Sequence, residues 1–182
     1  MLSSALDRVI AQIDNSPFGY ASGRCTRRHA ARRRPVYTPE ERARRDASPW
    51  TMVQGILAPL QFLVFAVSLG LLARWLLTGE GLFAAELSVV IKTLVLYAIM
   101  VTGAIWEKAV FGRYLFAASF FWEDVFSILV LALHTAYVGA FLFGLGDAHF
   151  RVWLALAAYA AYLINAAQFV MKLRQARIEA RA

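Results

Sequence analysis

Ionisable side chains lie within segments of this chain that are otherwise long and apolar enough to cross a bilayer. Glu123 and Asp124 open one such segment, His134 lies in its middle, and Glu107 ends the segment before it. Charged groups in a membrane helix cost a few kcal/mol each, so they usually face a bundle interior or a cavity and mark functional sites. Carboxyl groups at such a site can transfer protons, and an imidazole can bind a metal or a polar ligand.

The composition indicates an integral membrane protein with a single domain. The chain has 182 residues and is 60% hydrophobic, compared with roughly 45–50% for soluble domains. Its single cysteine, Cys25, excludes an internal disulfide and a cysteine-cluster metal site. The N-terminus lacks a signal-peptide pattern, so we expect the first membrane span to direct insertion.

The positive charge is concentrated at both ends of the chain. Residues 1–50 hold ten Arg against five Asp or Glu, within a total net charge of +7. The run Arg32-Arg33-Arg34 is compatible with nucleic-acid binding, but in a chain this apolar it favours anchoring on anionic lipid. We therefore expect membrane lipid, and no nucleic acid, among the partners.

Four segments have the length of membrane-spanning helices. They are predicted at 53–77, 86–107, 120–143 and 151–171. Each is near the ~20 residues needed to cross ~30 Å of hydrocarbon. Basic residues gather before the first span, between spans two and three, and after span four, which predicts that both termini are cytoplasmic. The predicted fold is all-α, a polytopic four-transmembrane-helix bundle.

Helix-start signals and charge predict the structure of the regions outside the four spans. Thr38 can cap a helix, Pro39 suits its first position, and Glu41 completes a capping box. The predicted regions are a basic, flexible extension at 1–37 with an amphipathic helix at 2–14, a short cytoplasmic or interfacial helix at 38–50, the four-helix membrane domain at 51–172, and a basic tail at 173–182.

Polar residues recur at helical spacing on the spans. On the first span Gln54, Gln61 and Ser68 are seven residues apart and so share a face. On the third span the shared face carries Glu123, Ser127, His134 and Tyr137, whereas Asp124 points about 100° away. Two interpretations remain open for these faces: hydrogen bonding between helices, and the wall of a binding pocket.

Several runs of residues resemble one enzyme family. The runs are Arg45–Trp50, Val53–Pro59, Lys92–Tyr97, Ile105–Lys108 with Phe111-Gly112, Phe120–Asp124, Leu133–Tyr137 and Asn165–Phe169. Together they span about 38–176 and resemble the 3-vinyl bacteriochlorophyllide hydratase family, also called 2-vinyl bacteriochlorophyllide hydratase. Residues 1–37 lie outside the resemblance.

The resemblance implies a hydro-lyase of bacteriochlorophyll biosynthesis. The family adds water across the C3-vinyl group of a chlorophyllide-type tetrapyrrole to give the 3-(1-hydroxyethyl) derivative. It implies no cofactor, because water is the co-substrate and magnesium belongs to the substrate macrocycle. It also implies a bacterial inner, intracytoplasmic photosynthetic membrane and contact with other enzymes of bacteriochlorophyll synthesis.

Residue roles are our own hypothesis within that function. Protonating the vinyl group requires a neutral carboxylic acid, and burial and a second nearby carboxyl both favour the neutral form. We expect Glu123 to be the general acid and Asp124 or Glu107 to be the base that activates water. His134 is a candidate axial ligand to the substrate magnesium. The expected substrate-binding residues are His134, Tyr137, Trp122, Trp106, Tyr97, Gln61, Lys108 and Arg113.

The same residues permit other readings. Trp106 and Trp122 also fit an aromatic belt at the membrane interface, and Glu107 with Lys108 also fits an interfacial charged pair. A non-catalytic pigment carrier would use His134 and the aromatic residues without needing the carboxyl groups. A pure assembly protein would tolerate the loss of Glu123 and His134 together. A small proton-coupled transporter would be expected to carry a carboxylate deeper in a span.

Overall fold

The computed structural model describes residues 35–180, and within that range the chain consists of helices and loops. The five helices are α1, Pro39–Ala47; α2, Pro49–Thr78; α3, Leu82–Phe111; α4, Phe121–Leu142; and α5, Ala148–Glu179. Helices α2 to α5 are each long and apolar enough to cross a membrane. The predicted all-helical class with four membrane-length helices is confirmed. The predicted helix at 2–14, Cys25 and the Arg32–Arg34 run lie outside the described residues.

The four long helices lie where the apolar segments predicted them, with different ends. Helices α2, α3 and α5 extend beyond their predicted spans at both ends, whereas α4 is one residue shorter at each end. The difference arises because the spans were bounded by apolar residues. Helical hydrogen bonding continues past those residues into polar turns, as at the C-terminal end of α5, which runs through Lys172 to Glu179.

The start of α1 is fixed by its local sequence. The Thr38 hydroxyl accepts a hydrogen bond from the Glu41 backbone N–H, and the Glu41 carboxylate accepts one from the Thr38 N–H. This reciprocal arrangement satisfies two helix-end donors, and Pro39 occupies the first helical position. The predicted capping box is confirmed. Helix α2 then begins at Pro49 without a side-chain cap from Ser48.

The long helices form two hairpins. Helices α2 and α3 pack along each other, as do α4 and α5, and contacts between the two hairpins are less extensive. The turn between α2 and α3 contains Gly79 and Gly81, both with positive φ, a conformation that glycine adopts without steric cost. We call the boundary between the two hairpins the seam, because the buried polar residues described below come from helices on both of its sides.

One end of the bundle is covered by residues outside the long helices. Val36 and Tyr37 are buried in a small apolar cluster with Val110, Phe120 and Ala176. We call residues 35–47 together with the loop 112–120 the end cap. Hydrogen bonds attach it to the helices: Arg44 Nε donates to the Val110 carbonyl at 2.7 Å, and the Val36 N–H donates to the Glu179 carboxylate at 2.8 Å.

Candidate active site

The first group of site residues is a pair of carboxyl groups beneath the end cap. Glu107 lies near the C-terminus of α3 and Asp124 in the first turn of α4, and both are buried. Their side chains are hydrogen-bonded to each other. An ionised carboxylate can only accept hydrogen bonds, so this contact requires a proton on one of the two groups. The pair therefore holds one neutral carboxylic acid in a site shielded from bulk water.

The same pair anchors the loop of the end cap. Asp124 Oδ2 accepts a hydrogen bond from the Phe116 N–H at 2.6 Å, and Glu107 Oε2 accepts one from the Ala117 N–H at 3.3 Å. Phe116 has a φ of 60°, a left-handed conformation that costs a non-glycine residue on the order of 1–3 kcal/mol. Such a conformation persists only where its surroundings enforce it, and here the two carboxyl groups contribute to that enforcement.

Glu123 is directed to a different neighbour. Its side chain is fully buried, and its Oε1 lies 3.2 Å from Nζ of Lys172 on α5. Lys172 is itself only 6% exposed. The nearby ammonium favours the ionised form of Glu123, whereas burial of the carboxyl group favours the neutral form. The three predicted catalytic carboxyl groups thus lie at one end of the bundle but in two different environments.

An aromatic cluster lies beside these carboxyl groups. The Phe120 ring packs edge-on against Trp106 at 5.6 Å and in a stacked arrangement with Phe169 at 6.2 Å. The Trp106 indole N–H also donates to Thr51 Oγ1 at 3.0 Å. In the end cap, burial raises the pKa of Tyr37 to about 12, although the nearby Arg45 opposes that shift. The cluster therefore offers flat apolar surfaces next to buried acids.

A second polar group lies deeper in the bundle, around His134. The imidazole Nδ1 lies 2.8 Å from the Val130 carbonyl oxygen. A carbonyl can only accept, so this contact assigns the proton to Nδ1 and leaves a lone pair on Nε2. Nε2 is buried without a hydrogen-bond partner among the described residues. That chemistry fits an axial ligand to a metal held in a macrocycle.

Lys92 belongs to the same deep group. Its side chain is fully buried, and its Nζ lies 3.8 Å from the centre of the Tyr162 ring. Nζ has no hydrogen-bond acceptor among residues 35–180. Lys92 is also close enough to His134 to interact with it electrostatically. Tyr159, one turn before Tyr162, packs against the His134 ring at 5.8 Å.

Buried polar atoms without partners extend along the seam. Within the described part of the chain, side-chain atoms without a hydrogen-bond partner or an ion pair include those of Gln61, Lys92, His134, Tyr137, Asn165 and Gln168. An unsatisfied buried polar group costs about 1–3 kcal/mol, so a row of them is expected to contact water or a polar ligand. These residues come from all four long helices, so both hairpins contribute polar groups to the seam.

The other predicted substrate-binding residues have more ordinary surroundings. The Tyr97 hydroxyl lies 2.8 Å from Thr135 Oγ1 and so links α3 to α4. Trp122 is partly buried and packs edge-on against Phe121 at 5.6 Å. Lys108 and Arg113 are exposed, and each donates to a backbone carbonyl in its own loop region, Gly112 and Phe116 respectively.

Two lysines in the interior were missing from the predicted site. Lys172 follows Asn165 by seven residues and Gln168 by four, so the spacing alone places it on their buried face. The basic tail nearby suggested membrane-surface anchoring instead. Lys92 gave a weaker signal, because it lies off the face shared by Glu86 and Thr93, and the sequence is compatible with either snorkelling or pairing with a carboxylate.

Known proteins match most of this chain. A model of the 2-vinyl bacteriochlorophyllide hydratase family matches residues 37–175. A Rhodobacter capsulatus protein named 2-vinyl bacteriochlorophyllide hydratase is 66% identical over 148 residues, which is 81% of this chain and 86% of that protein. One of the same name from Cereibacter sphaeroides is 64% identical over 154 residues, 84% of this chain and 95% of that protein. No solved structure matches the chain. The matched region contains Glu107, Glu123, Asp124 and the two interior lysines, and the chain belongs to the 2-vinyl bacteriochlorophyllide hydratase family.

Proposed function

We propose that this protein hydrates the C3-vinyl group of a chlorophyllide-type tetrapyrrole, giving the 3-(1-hydroxyethyl) derivative, at the buried carboxyl groups beneath its end cap. Family membership makes it a hydratase, and its four apolar helices make it a membrane protein. The observation that carries the site assignment is the arrangement of Glu107, Asp124 and Glu123. They combine a proton-sharing pair with an ion-paired carboxyl group at one end of the bundle.

The reaction needs an acid and a base on either side of one alkene. A proton is added to the terminal vinyl carbon, which leaves positive charge on the inner carbon, where the macrocycle can delocalise it. Water then forms the C–O bond at that inner carbon and loses a proton to a base. The vinyl group and one water become a 1-hydroxyethyl group. The acid is then deprotonated and the base protonated, so one proton must pass from the base back to the acid to restore both. A low-dielectric site that excludes competing water favours this sequence.

The side-chain contacts favour a division of roles that differs from the expectation based on sequence. The Glu107–Asp124 pair holds one proton, which suits the general acid. Glu123, with Lys172 as its counter-charge, suits the base that accepts the proton from water. This follows the general pattern in which two environments keep neighbouring carboxyl groups in opposite protonation states. Both versions use the same three residues, so they are separated by experiment below.

Binding of the macrocycle is assigned to the seam and the aromatic cluster. The lone pair on His134 Nε2 suits the substrate magnesium, and the unpartnered groups of Gln61 and Tyr137 suit polar ring substituents. Trp106 and Trp122 offer flat surfaces beside the reacting end. Tyr97, Lys108 and Arg113 remain proposed substrate contacts, although their present contacts also give them structural roles. No further cofactor is proposed, and water is the co-substrate.

The proposed setting follows from charge and family. The basic residues on one side of the bundle favour cytoplasmic termini, which would place the end cap and the carboxyl groups near the cytoplasmic surface. We propose an intracytoplasmic photosynthetic membrane, contact with other enzymes of bacteriochlorophyll synthesis, and a catalytic domain at 51–172. The basic charges of the extension 1–37 and of the tail 173–182 are proposed to favour anchoring on anionic lipid, whereas residues 35–47 cover the carboxyl groups as part of the end cap.

The test is conversion of pigment in membranes. The full chain is expressed in membranes that contain 3-vinyl chlorophyllide, and the pigment is followed by chromatography and mass. We expect the wild type to add one water, and Glu107→Gln, Asp124→Asn and Glu123→Gln each to lose at least about a hundredfold in rate. Glu80→Gln removes an exposed carboxyl group outside the site and is the matched control.

The outcomes separate the competing functions. Pigment that co-purifies unchanged with the wild type would reject hydration and favour a pigment carrier. Hydration that survives Glu123→Gln but not Glu107→Gln or Asp124→Asn would retain the enzyme and remove Glu123 from the chemistry. To separate the two role assignments, single turnovers are run in deuterated water. Glu123→Gln should abolish turnover if it is the base, yet still permit deuterium exchange into the terminal vinyl carbon. If Glu123 is the acid, that exchange should be lost as well.

A further inference from the structure

We propose that Lys92 is the binding site for the propionate carboxylate of the substrate, at the deep end of the seam. The inference rests on the proposed function, because it takes a chlorophyllide-type free acid as the ligand. It concerns a residue outside the predicted site, and it assigns the carboxylate to the bundle interior instead of to the exposed Lys108 or Arg113.

The first argument is the missing counter-charge. Lys92 is fully buried, and its Nζ has no hydrogen-bond acceptor among the described residues. By contrast, three other cations on the long helices each have a carboxylate within 4.0 Å: Arg74, Arg151 and Lys172. A buried charge without a partner is costly, and a neighbouring aromatic ring compensates for only part of that cost. An anionic ligand would supply the charge partner that the described residues do not.

The second argument concerns the residues that surround Lys92. His134 lies near it with an unpartnered Nε2, and Tyr162 lies beneath its ammonium group. Phe65 packs against Tyr162 at 5.1 Å from the other hairpin. Lys92 therefore belongs to a site at the seam, lined by an aromatic wall and a metal-binding nitrogen. That combination suits the rim of a metal-containing macrocycle that carries a carboxylate.

The third argument is the spacing between the two buried lysines. Tyr162, beneath Lys92, precedes Lys172 by ten residues on α5, which corresponds to about 15 Å along the helix. Lys172 marks the level of Glu123. This span is comparable with that of a tetrapyrrole and its side chains. A carboxylate held at Lys92 would orient the ring so that another edge reaches the carboxyl groups beneath the end cap.

By contrast, the exposed cations are already engaged. Lys108 Nζ donates to the Gly112 carbonyl at 2.9 Å, and Arg113 contacts the Phe116 carbonyl at 3.4 Å. Both side chains are exposed, so water screens their charge. An exposed cation discriminates weakly between a carboxylate and its ester, whereas a buried one discriminates strongly.

The experiment compares chlorophyllide free acid with its methyl ester, using the full chain in lipid nanodiscs. Binding is measured by pigment absorption and tryptophan quenching, and hydration is measured separately. We expect the wild type to bind the free acid at least about tenfold more tightly than the ester. Lys92→Met should bind both pigments equally, with its loss confined to the free acid. Arg174→Met removes an exposed cation away from the seam and should retain the wild-type preference.

Stability gives a second readout that does not depend on pigment. Removing a buried amine that has no partner should leave pigment-free Lys92→Met at least as stable to heat as the wild type. A strongly destabilised Lys92→Met would show that the amine has a structural partner, and would overturn the inference.

The remaining outcomes are also decisive. A wild type that binds acid and ester equally would reject the carboxylate site whatever the variants do. Loss of the preference in Lys108→Met or Arg113→Met, but not in Lys92→Met, would move the carboxylate to the loop. A wild type that prefers the acid, loses that preference in Lys92→Met and never hydrates the pigment would support the site at Lys92 while rejecting the proposed function.

Discussion

Lys172 and Glu123 form an ion pair in the interior, with 3.2 Å between Nζ and Oε1 and both side chains buried. The pair joins α4 to α5 within one hairpin, immediately beside the Glu107–Asp124 contact that joins α4 to α3. Adjacent residues on α4 therefore engage different helices. Their separation of about 100° around the helix axis gives the three carboxyl groups two environments.

Breaking that ion pair should be costly in two measurable ways. Lys172→Met leaves a buried carboxylate without its counter-charge, so we expect a loss of about 3–5 kcal/mol in the free energy of unfolding. The double variant Lys172→Met with Glu123→Gln should recover much of that stability but no hydration. Thermal unfolding in detergent and the pigment assay provide the two readouts. A double variant no more stable than the single one would contradict a direct partnership.

Replacing either member of the Glu107–Asp124 pair by its amide should change stability little but reduce hydration strongly. An amide at either position can still hydrogen-bond its neighbour and accept from the loop N–H groups. We therefore expect Glu107→Gln and Asp124→Asn to lose no more than about 1 kcal/mol of stability, while hydration falls at least about a hundredfold. Asp124→Ala, which cannot accept from Phe116, should be clearly less stable than Asp124→Asn. Equal stability of the two Asp124 variants would show that the loop does not depend on this carboxyl group.

A partly buried ion pair elsewhere in the bundle provides a structural comparison. Arg151 Nε lies 2.6 Å from Glu86 Oε1, at the end of the bundle away from the end cap. Arg151→Met should destabilise the protein by a few kcal/mol, and adding Glu86→Gln should restore part of the loss. Hydration per folded molecule should stay near the wild-type value for both variants. A specific loss of hydration at equal folded fraction would place this pair in the substrate path.

Two glycines provide a matched test of the backbone. Gly146 has a φ of 69°, and a Cβ there would lie 2.3 Å from the Phe150 ring, so Gly146→Ala should cost at least about 1–2 kcal/mol. Gly70 lies within α2, and a Cβ there meets no atom within 4 Å. Gly70→Ala should therefore be neutral or stabilising by up to about 1 kcal/mol. Thermal unfolding of the two variants side by side tests the comparison, and similar stabilities would contradict it.

The parts of this fold that depend on local sequence were predictable. The capping box at Thr38 and Glu41 and the four apolar segments each encode their structure within a few residues or one helix. The stripe of Glu123, Ser127, His134 and Tyr137 was also predictable, because a single helix determines which residues share a face, and all four are buried.

The contacts between helices were less accessible from sequence. Lys172 follows Glu123 by 49 residues, and their pairing depends on how α4 and α5 pack. The sequence did not show that Lys92 is buried, because its burial depends on how α3 packs against α4 and α5. A helical projection gives the direction of a side chain but does not identify the neighbour in that direction, so the division of the carboxyl groups into a pair and an ion pair had to come from the structure.

The end cap and the seam together determine the direction from which the pigment can reach the carboxyl groups. The cap closes the bundle over the carboxyl groups, which are 5% exposed or less, whereas the two hairpins contact each other less extensively along the seam. A flat pigment dissolved in the bilayer would thus enter sideways from the lipid. We expect the rate to depend on the mole fraction of pigment in the membrane, so that adding pigment-free lipid at constant total pigment slows turnover by surface dilution.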